Sequence, residues 1–150
     1  MLYGANDIVL PSGRPLVDLD VMRTLARQAR EHAYAPYSRF KVGACLLSAA
    51  TGRMYPGCNV ENSSYGATVC AERNAILHAI AEEGVVGVEA LVVVSDDDPP
   101  APPCALCLQV LAEFSRPDTR VILFSVDGKC VEYSFAELLP NPFIFPTMRQ

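Results

Sequence analysis

The sequence predicts an α/β fold in which helices cover a largely buried sheet within one domain. Segments whose apolar residues recur every three or four positions alternate along the chain with short apolar runs typical of strands. A chain of 150 residues, 51% of them hydrophobic, is long enough for one sizeable core and too short for two. Residues 1–17 contain two glycines and two prolines, so we expect an irregular extension there and a single domain over 18–150.

Capping and breaking residues define the expected helices. Asp18 or Asp20 can cap the first helix, and Pro36 prevents it from continuing. Gly84 suits the C-cap of the second helix. The residues Ser-Phe-Ala-Glu at 134–137 form a capping-box pattern that opens the last helix. The expected helices therefore cover 19–34, 70–83, a segment that starts near 104, and 134–139.

The expected strands follow from turn residues and from apolar runs. The segments 40–48 and 53–60 flank a turn that contains Gly52, which predicts a β-hairpin. Residues 90–95 form an almost continuous apolar run, as in a strand that is covered on both faces of its sheet. The dipeptide Asp127-Gly128 marks a turn between two further strands. These last strands are expected over 120–125 and 131–133.

Charge and composition exclude several classes of partner. The formal net charge is −5, and an acidic surface repels phosphate backbones, so a polynucleotide is not expected as a partner. The sequence has no run of about 18 apolar residues that would span a membrane, and its N-terminus lacks the pattern of a signal peptide. We therefore expect a cytoplasmic protein that acts on a small molecule.

The cysteines carry the first chemical signal. Six cysteines in a cytoplasmic chain favour metal binding or catalysis over disulfides. Cys104 and Cys107 form a C-x-x-C pair at the start of one expected helix, and Cys70 begins another, two residues before Glu72. The remaining cysteines lie in strand-like segments and are expected to be small buried side chains. These are Cys45, Cys58 and Cys130.

The spacing of Cys70, Cys104 and Cys107 predicts a zinc site. Helix N-termini favour negative charge, so three thiolates that converge from two helix starts suit a tetrahedral Zn²⁺. Three protein ligands leave a fourth position for water, as in catalytic sites. Glu72 lies in the first helical turn, where it can exchange protons with that water without being a ligand. Arg73 could offset the net negative charge by donating hydrogen bonds to the sulfurs.

Two other interpretations of the cysteines stay open. A structural zinc in a non-catalytic protein of the same fold would need a fourth protein ligand, and Cys104 and Cys107 could instead be a redox pair that acts without metal. Glu72 argues against the first alternative, because a structural site needs no proton shuttle. The possible fourth ligands are Cys45, Cys58, Cys130, His32 and His78, and each histidine is expected to be a surface or hydrogen-bonded side chain rather than a ligand.

Several motifs resemble those of one enzyme family, in the same order. Cys70-Ala71-Glu72, followed by Pro103-Cys104-Ala105-Leu106-Cys107, matches the C-x-E and P-C-x-x-C pattern of zinc-dependent deaminases. The segments 33–44, 57–66 and 70–76 and the C-terminal Leu-Leu-Pro before Phe143 resemble the small homotetrameric cytidine deaminases. The resemblance covers about residues 18–143.

The resemblance implies a three-layer α-β-α sandwich with a mixed sheet of about five strands, one Zn²⁺ per subunit and assembly as a homotetramer. It implies hydrolytic deamination of free cytidine or deoxycytidine to uridine or deoxyuridine and ammonia, as in pyrimidine salvage. In that reaction zinc-bound hydroxide attacks the pyrimidine and Glu72 shuttles the protons. The implied substrate contacts are Asn59 and Glu61 for the sugar, Phe40 and the Ala71 backbone for the pyrimidine, and Tyr65 and Phe143 near subunit contacts.

Two positions depart from the family's usual P-C-G-x-C-R-Q motif. Ala105 stands in place of glycine and Leu108 in place of arginine, whereas Gln109 is kept. Neither change affects a ligand or the proton shuttle, so the reaction class is expected to hold. The preference for ribose or deoxyribose stays open. A related aminopyrimidine such as blasticidin S is the alternative substrate for the same chemistry.

Overall fold

The first helix begins where the sequence predicts it, because the Asp18 carboxylate accepts a hydrogen bond from the Val21 N–H (3.1 Å). The computed structural model describes residues 13–148. Its helices and strands are α1 (Leu19–Glu31), β1 (Gly43–Ser48), β2 (Met54–Cys58), α2 (Ala71–Glu83), β3 (Val88–Ser95), α3 (Ala105–Ala112), β4 (Ser115–Ser125), β5 (Cys130–Ser134) and α4 (Phe135–Leu138). The capping box that the sequence predicts at the start of α4 is present, between Ser134 and Glu137.

The sheet is mixed and has the strand order β2-β1-β3-β4-β5. Strands β3 and β4 are parallel, and the other neighbouring pairs are antiparallel. A parallel pair needs a crossover, which α3 provides between β3 and β4. The chain therefore leaves β3 at its carboxyl end and returns through α3. This crossover positions the start of α3, where two of the predicted metal ligands lie.

The core has two parts, one on each face of the sheet. Along β1, Ala44 and Leu46 pack with α2 and α3, whereas Cys45 and Leu47 pack with α1. Strand β3 is buried along its whole length, as its apolar sequence predicts. The arrangement is the three-layer α-β-α sandwich with five strands that the resemblance implies.

Several details of the sequence prediction were wrong. Strand β4 starts at Ser115 rather than 120, and Cys58 is half-buried rather than buried. Helix α1 ends at Glu31 rather than near 34, because the backbone of Tyr34 pairs with the chain around Val60. Strand β1 starts at Gly43 rather than 40, because the preceding backbone is hydrogen-bonded to side chains. Cys130 is exposed rather than buried, since it is the first residue of the edge strand β5. The two histidines are exposed, in agreement with the sequence prediction.

An ion-pair cluster holds the first described residues against the sheet. The buried Glu89 carboxylate pairs with Arg14 and with Arg116, each at 2.8 Å.

The division into an extension over 1–17 and a domain over 18–150 stays a prediction, and residues 1–12 lie outside the described part of the chain. Among residues 13–148, no helix has the length and apolar character that crossing a membrane requires.

Gly57 lets β2 approach the start of α2. A Cβ atom placed on Gly57 would lie 2.4 Å from the Ala75 nitrogen and 2.6 Å from the Ala71 carbonyl oxygen. Both atoms are helix backbone, which cannot rotate away as a side chain can. The absence of a side chain at this position therefore fixes the distance between the sheet and the helix that carries Cys70 and Glu72.

We expect Gly57→Ala to lower the free energy of unfolding by about 2–3 kcal/mol and to weaken zinc retention, because α2 must move away from β2. Gly66→Ala is the matched control, since a Cβ there meets nothing within 4 Å. Urea unfolding followed by circular dichroism measures both variants. Equal stability of the two variants would contradict the packing constraint.

Candidate active site

Two helix N-termini bring the three predicted ligands together. Cys70 is the N-cap of α2, Cys104 is the N-cap of α3, and Cys107 lies in the first turn of α3. Neither N-cap side chain makes a capping hydrogen bond, so both sulfurs are free to face each other. Cys107 is buried, Cys70 is half-buried and Cys104 is exposed. The group is therefore open on the side of Cys104.

The sulfur positions fit a zinc ion. The three Sγ atoms lie within 4.8 Å of one another, and those of Cys70 and Cys104 are 3.8 Å apart. Zinc–sulfur bonds of about 2.3 Å in tetrahedral geometry separate two sulfurs by about 3.8 Å. Among the described residues this is the one group of three or more potential ligands that meets these distances. Three sulfurs complete three of the four positions of a tetrahedral site.

The pKa values of the Cys70 and Cys107 thiols are shifted in opposite directions. The pKa of Cys70 is lowered to about 5, chiefly because its sulfur accepts a hydrogen bond from Cys107 and also because Arg73 donates to it. The same hydrogen bond, together with burial, raises the pKa of Cys107. A metal that binds all three as thiolates must displace the proton that these two residues share.

Glu72 lies beside the cysteines in a buried position. Its side chain is 5% exposed, and its Oε2 lies 3.7 Å from the Cys107 sulfur. Burial raises the pKa of Glu72 to about 7, with a smaller contribution from the negative charge of Cys70. A divalent cation between the sulfurs would act in the opposite direction and favour the charged carboxylate. Glu72 thus combines proximity to the metal ligands with exclusion from bulk water.

Arg73 follows Glu72 and turns back toward the sulfurs. Its Nη2 lies 3.6 Å from the Cys70 sulfur and 3.3 Å from the Thr68 carbonyl oxygen. Its Nε is buried and has no hydrogen-bond partner among the described residues. A guanidinium beside the sulfurs is the arrangement that the sequence predicts for offsetting their negative charge.

Asn59 and Glu61 are both buried and face the same segment, residues 37–42. The Asn59 amide accepts a hydrogen bond from the Val42 N–H (2.9 Å) and donates one to the Phe40 carbonyl (2.8 Å). Glu61 Oε2 accepts from the N–H groups of Tyr37 (2.9 Å) and Ser38 (3.1 Å). The two side chains that the resemblance assigns to the sugar therefore also organise the backbone around Phe40.

The other predicted contacts are distributed around this centre. Phe40 is half-buried, and Ala71 is buried directly between Cys70 and Glu72. Tyr65 is 75% exposed and stacks edge-on against Tyr37, with ring centroids 5.9 Å apart. Phe143 is 66% exposed. In a single chain the side chains of Tyr65 and Phe143 therefore lie at the surface.

Three contributing residues carry no role in the sequence prediction. Asn74 donates to the Cys58 carbonyl (2.7 Å), and Gln109 donates to the Phe143 carbonyl (2.8 Å). Ser38 contacts Glu61 and Phe40. The contacts to Cys58, Phe143 and Glu61 join residues at least 16 positions apart in the sequence, so spacing gives no signal for them. Their presence inside the matched segments was the only available indication.

The two departures from the family motif have different surroundings. Leu108 belongs to α3 and is buried in the core that α3 shares with α2, so an apolar side chain fits its position. Ala105 is the first residue of α3 and is exposed. Neither side chain displaces a ligand, since the sulfur distances remain those of a tetrahedral site.

A mixed sheet with three converging thiols and a buried glutamate defines the class of zinc-dependent deaminases. Residues 17–124 match the family model described as the cytidine and deoxycytidylate deaminase zinc-binding region. The chain belongs to this family, and Zn²⁺ is its cofactor. The family resemblance, the fold class, the metal and the zinc-dependent deaminase activity predicted from the sequence are thereby confirmed.

Individual relatives agree with the family match. A cytidine deaminase of Sporosarcina psychrophila is 45% identical over 127 residues, covering 85% of this chain and 92% of that protein. One of Halalkalibacterium halodurans is 47% identical over 127 residues, covering 85% of this chain and 95% of that protein. A crystal structure of cytidine deaminase from Burkholderia pseudomallei superposes with a TM-score of 0.80 at 41% identity, covering 85% of this chain and all of that one. For the Mycobacterium tuberculosis enzyme the TM-score is 0.72 at 36% identity, with 87% and 100% covered.

We expect the purified protein to contain about one Zn²⁺ per chain. Replacing Cys70, Cys104 or Cys107 by Ala should remove most of the metal, because two thiolates hold zinc far more weakly than three. Cys130→Ala is the control, since this exposed cysteine lies outside the group. Metal analysis of the desalted proteins gives the stoichiometry. Full zinc occupancy in any of the three variants would rule that cysteine out as a ligand.

Proposed function

We propose that the chain hydrolyses the bond between the pyrimidine ring and the amino group of free cytidine and deoxycytidine, giving uridine or deoxyuridine and ammonia. The observation that carries this proposal is the buried carboxylate of Glu72, which lies 3.7 Å from a metal-binding sulfur without belonging to the three-sulfur group. A purely structural metal site has no use for such a group. The identities of 45% and 47% to proteins named cytidine deaminase support the substrate.

In the proposed reaction the chain holds the metal and moves the protons. Cys70, Cys104 and Cys107 would hold zinc, which supplies Lewis acidity that brings the pKa of a water molecule near neutrality. Glu72 accepts one proton from water and delivers it to the ring nitrogen next to the reacting carbon. It then transfers the second proton to the departing amino group. The water oxygen stays on the pyrimidine as a carbonyl, one proton stays on the ring, and the other leaves in ammonia.

Arg73 is proposed to stabilise the metal site by charge. Three thiolates around a divalent zinc carry a net charge of −1, and a guanidinium that donates to a thiolate offsets it. The contact of 3.6 Å to Cys70 supports this role. In a zinc titration Arg73→Ala should bind the metal more weakly. Unchanged zinc affinity together with unchanged turnover would contradict it.

Substrate recognition is proposed to use the buried polar pair and the neighbouring aromatic. A sugar hydroxyl both donates and accepts, so it matches the Glu61 carboxylate and the Asn59 amide together. Phe40 would pack against the pyrimidine, and the Ala71 backbone, between a ligand and the proton shuttle, would contact its polar edge. The net charge of −5 favours a free nucleoside over a phosphorylated one.

Assembly as a homotetramer is part of the proposal. Large apolar side chains that lie exposed on a single chain need a partner surface if they are to be buried. These side chains include Tyr65 (75% exposed), Leu106 (65%) and Phe143 (66%). Gln109 fixes the backbone at Phe143 to the metal-binding helix, so this ring projects from a defined position. We propose that it reaches the pocket of a neighbouring subunit.

A cytoplasmic location is also proposed. Three cysteines that must act as thiolates need a reducing environment, which the cytosol provides. Cell fractionation would test this location.

We expect Glu72→Gln to lower kcat by at least about 10²-fold while zinc remains bound, because the amide cannot accept or deliver the protons. Loss of cytidine absorbance in the ultraviolet measures turnover, and metal analysis measures zinc. Glu82→Gln is the control, because Glu82 is an exposed glutamate on the same helix. Wild-type turnover in Glu72→Gln would refute the mechanism, and a wild-type protein that leaves cytidine unchanged would refute the substrate.

We expect sedimentation velocity to give a tetramer for the wild type. Phe143→Ala should raise the KM for cytidine about tenfold and weaken assembly, because an aromatic contact between subunits is lost. Val85→Ala is the control, since Val85 is 90% exposed in the loop after α2. A fully active wild-type monomer would exclude a contribution from a neighbouring subunit.

A further inference from the structure

The segment from Tyr37 to Val42 is a constrained turn beside the proposed sugar site. Arg39 has a φ of 58°, the left-handed conformation that non-glycine residues rarely adopt. The turn is held at both ends by backbone hydrogen bonds to the buried side chains of Glu61 and Asn59. A strained turn persists when its surroundings fix it, and such turns occur at binding sites.

Ser38 lies at the centre of these contacts. Its hydroxyl donates to Glu61 Oε1, and its oxygen accepts a hydrogen bond from the Phe40 N–H (3.0 Å). The Phe40 carbonyl is in turn held by Asn59 (2.8 Å). One serine hydroxyl therefore joins the buried carboxylate to the backbone of the aromatic residue.

The acceptor capacity of Glu61 is almost filled. An ionised carboxylate offers about four lone-pair directions. Oε2 accepts from the two N–H groups of Tyr37 and Ser38, and Oε1 accepts from the Ser38 hydroxyl. The remaining direction is on Oε1, the same oxygen that Ser38 contacts. These hydrogen bonds also hold the pKa of Glu61 below its usual value, so the side chain stays an acceptor.

We infer that Ser38 is a positioning residue that directs the remaining acceptor of Glu61 toward one ring hydroxyl of the nucleoside. This inference rests on the proposed function, since it assigns Glu61 to the sugar. Without the Ser38 hydroxyl, Oε1 has two open directions and water competes for both. The carboxylate then no longer presents a single orientation, and the Phe40 N–H loses its partner. The consequence falls on recognition of the sugar and not on the proton transfers at Glu72.

The test compares Ser38→Ala, Ser38→Thr and the control Ser63→Ala, an exposed serine in the neighbouring loop. KM and kcat are measured for cytidine, 2′-deoxycytidine and 3′-deoxycytidine. Ser38→Ala should raise the KM for cytidine about tenfold with kcat within about twofold, and Ser38→Thr should restore it. For the analogue that lacks the hydroxyl bound by Glu61, the loss should shrink to about twofold or less.

Other results of these measurements would overturn either the inference or the proposed function. An equal loss on all three nucleosides, a wild-type KM in Ser38→Ala, or failure of Ser38→Thr to restore KM overturns the inference. A normal KM in Glu61→Gln removes Glu61 from the sugar and overturns it as well. Failure of the wild type to deaminate cytidine refutes the proposed function and is seen before any variant is compared. If Ser38→Ala does not fold, Ser38→Cys, which keeps the volume with a weak donor, is measured in its place.

Discussion

The interaction on which the site depends is the meeting of two helix N-termini through sulfur. Each helix start presents unsatisfied N–H groups and a partial positive charge, which favours a thiolate there. Cys70 and Cys104 occupy equivalent N-cap positions with no capping hydrogen bond of their own, and their sulfurs are 3.8 Å apart. When the sulfurs act together as thiolates they need a shared cation between them, because thiolates alone would repel. The metal therefore completes the contact between α2 and α3.

Helix α2 can act as the reference for the site because both of its ends are fixed. At its start, Gly57 lets β2 pack directly against the helix backbone. At its end, the Glu83 carboxylate accepts hydrogen bonds from the hydroxyls of Ser48 (2.9 Å) and Tyr55 (2.6 Å), and also from Thr51. Both anchors lie on the β1–β2 hairpin. A helix that is held at two points along its axis keeps the residues of its first turn in constant register with the sheet.

The sequence was informative wherever the chemistry is local. The convergence of the three cysteines beside Glu72 was predictable because a zinc site at helix starts needs particular residue types at short spacing. The burial of strand β3 was predictable because its apolar run is almost continuous. The end of α1 was not predictable, since Tyr34 leaves the helix to pair with residues far along the chain. The exposure of Cys130 depends on which strand lies at the sheet edge, and a strand's own residues do not specify this order.

The polar half of the site, which comprises Asn59, Glu61 and the segment 37–42, was only partly predictable for the same reason. Family motifs identified Asn59 and Glu61, yet their partners in the turn at 37–42 are separated from them by about twenty residues and are mostly backbone groups. Backbone groups have no sequence signature, so only the structure reveals that Ser38 links Glu61 to the Phe40 backbone.

Asn74 connects the two halves of the site. Cys70, Glu72 and Arg73 at the start of α2 are proposed to serve the metal half, and the next residue, Asn74, donates to the Cys58 carbonyl (2.7 Å), directly before Asn59. A displacement of α2 is thus passed to the strand end next to Asn59 and Glu61, the pair proposed to bind the sugar. Proton transfer requires the ring nitrogen and the amino group of the substrate to lie within hydrogen-bond reach of Glu72 while the sugar is held some distance away. A direct bond between the helix and the strand end keeps that separation constant, which a flexible loop between the two halves would not do.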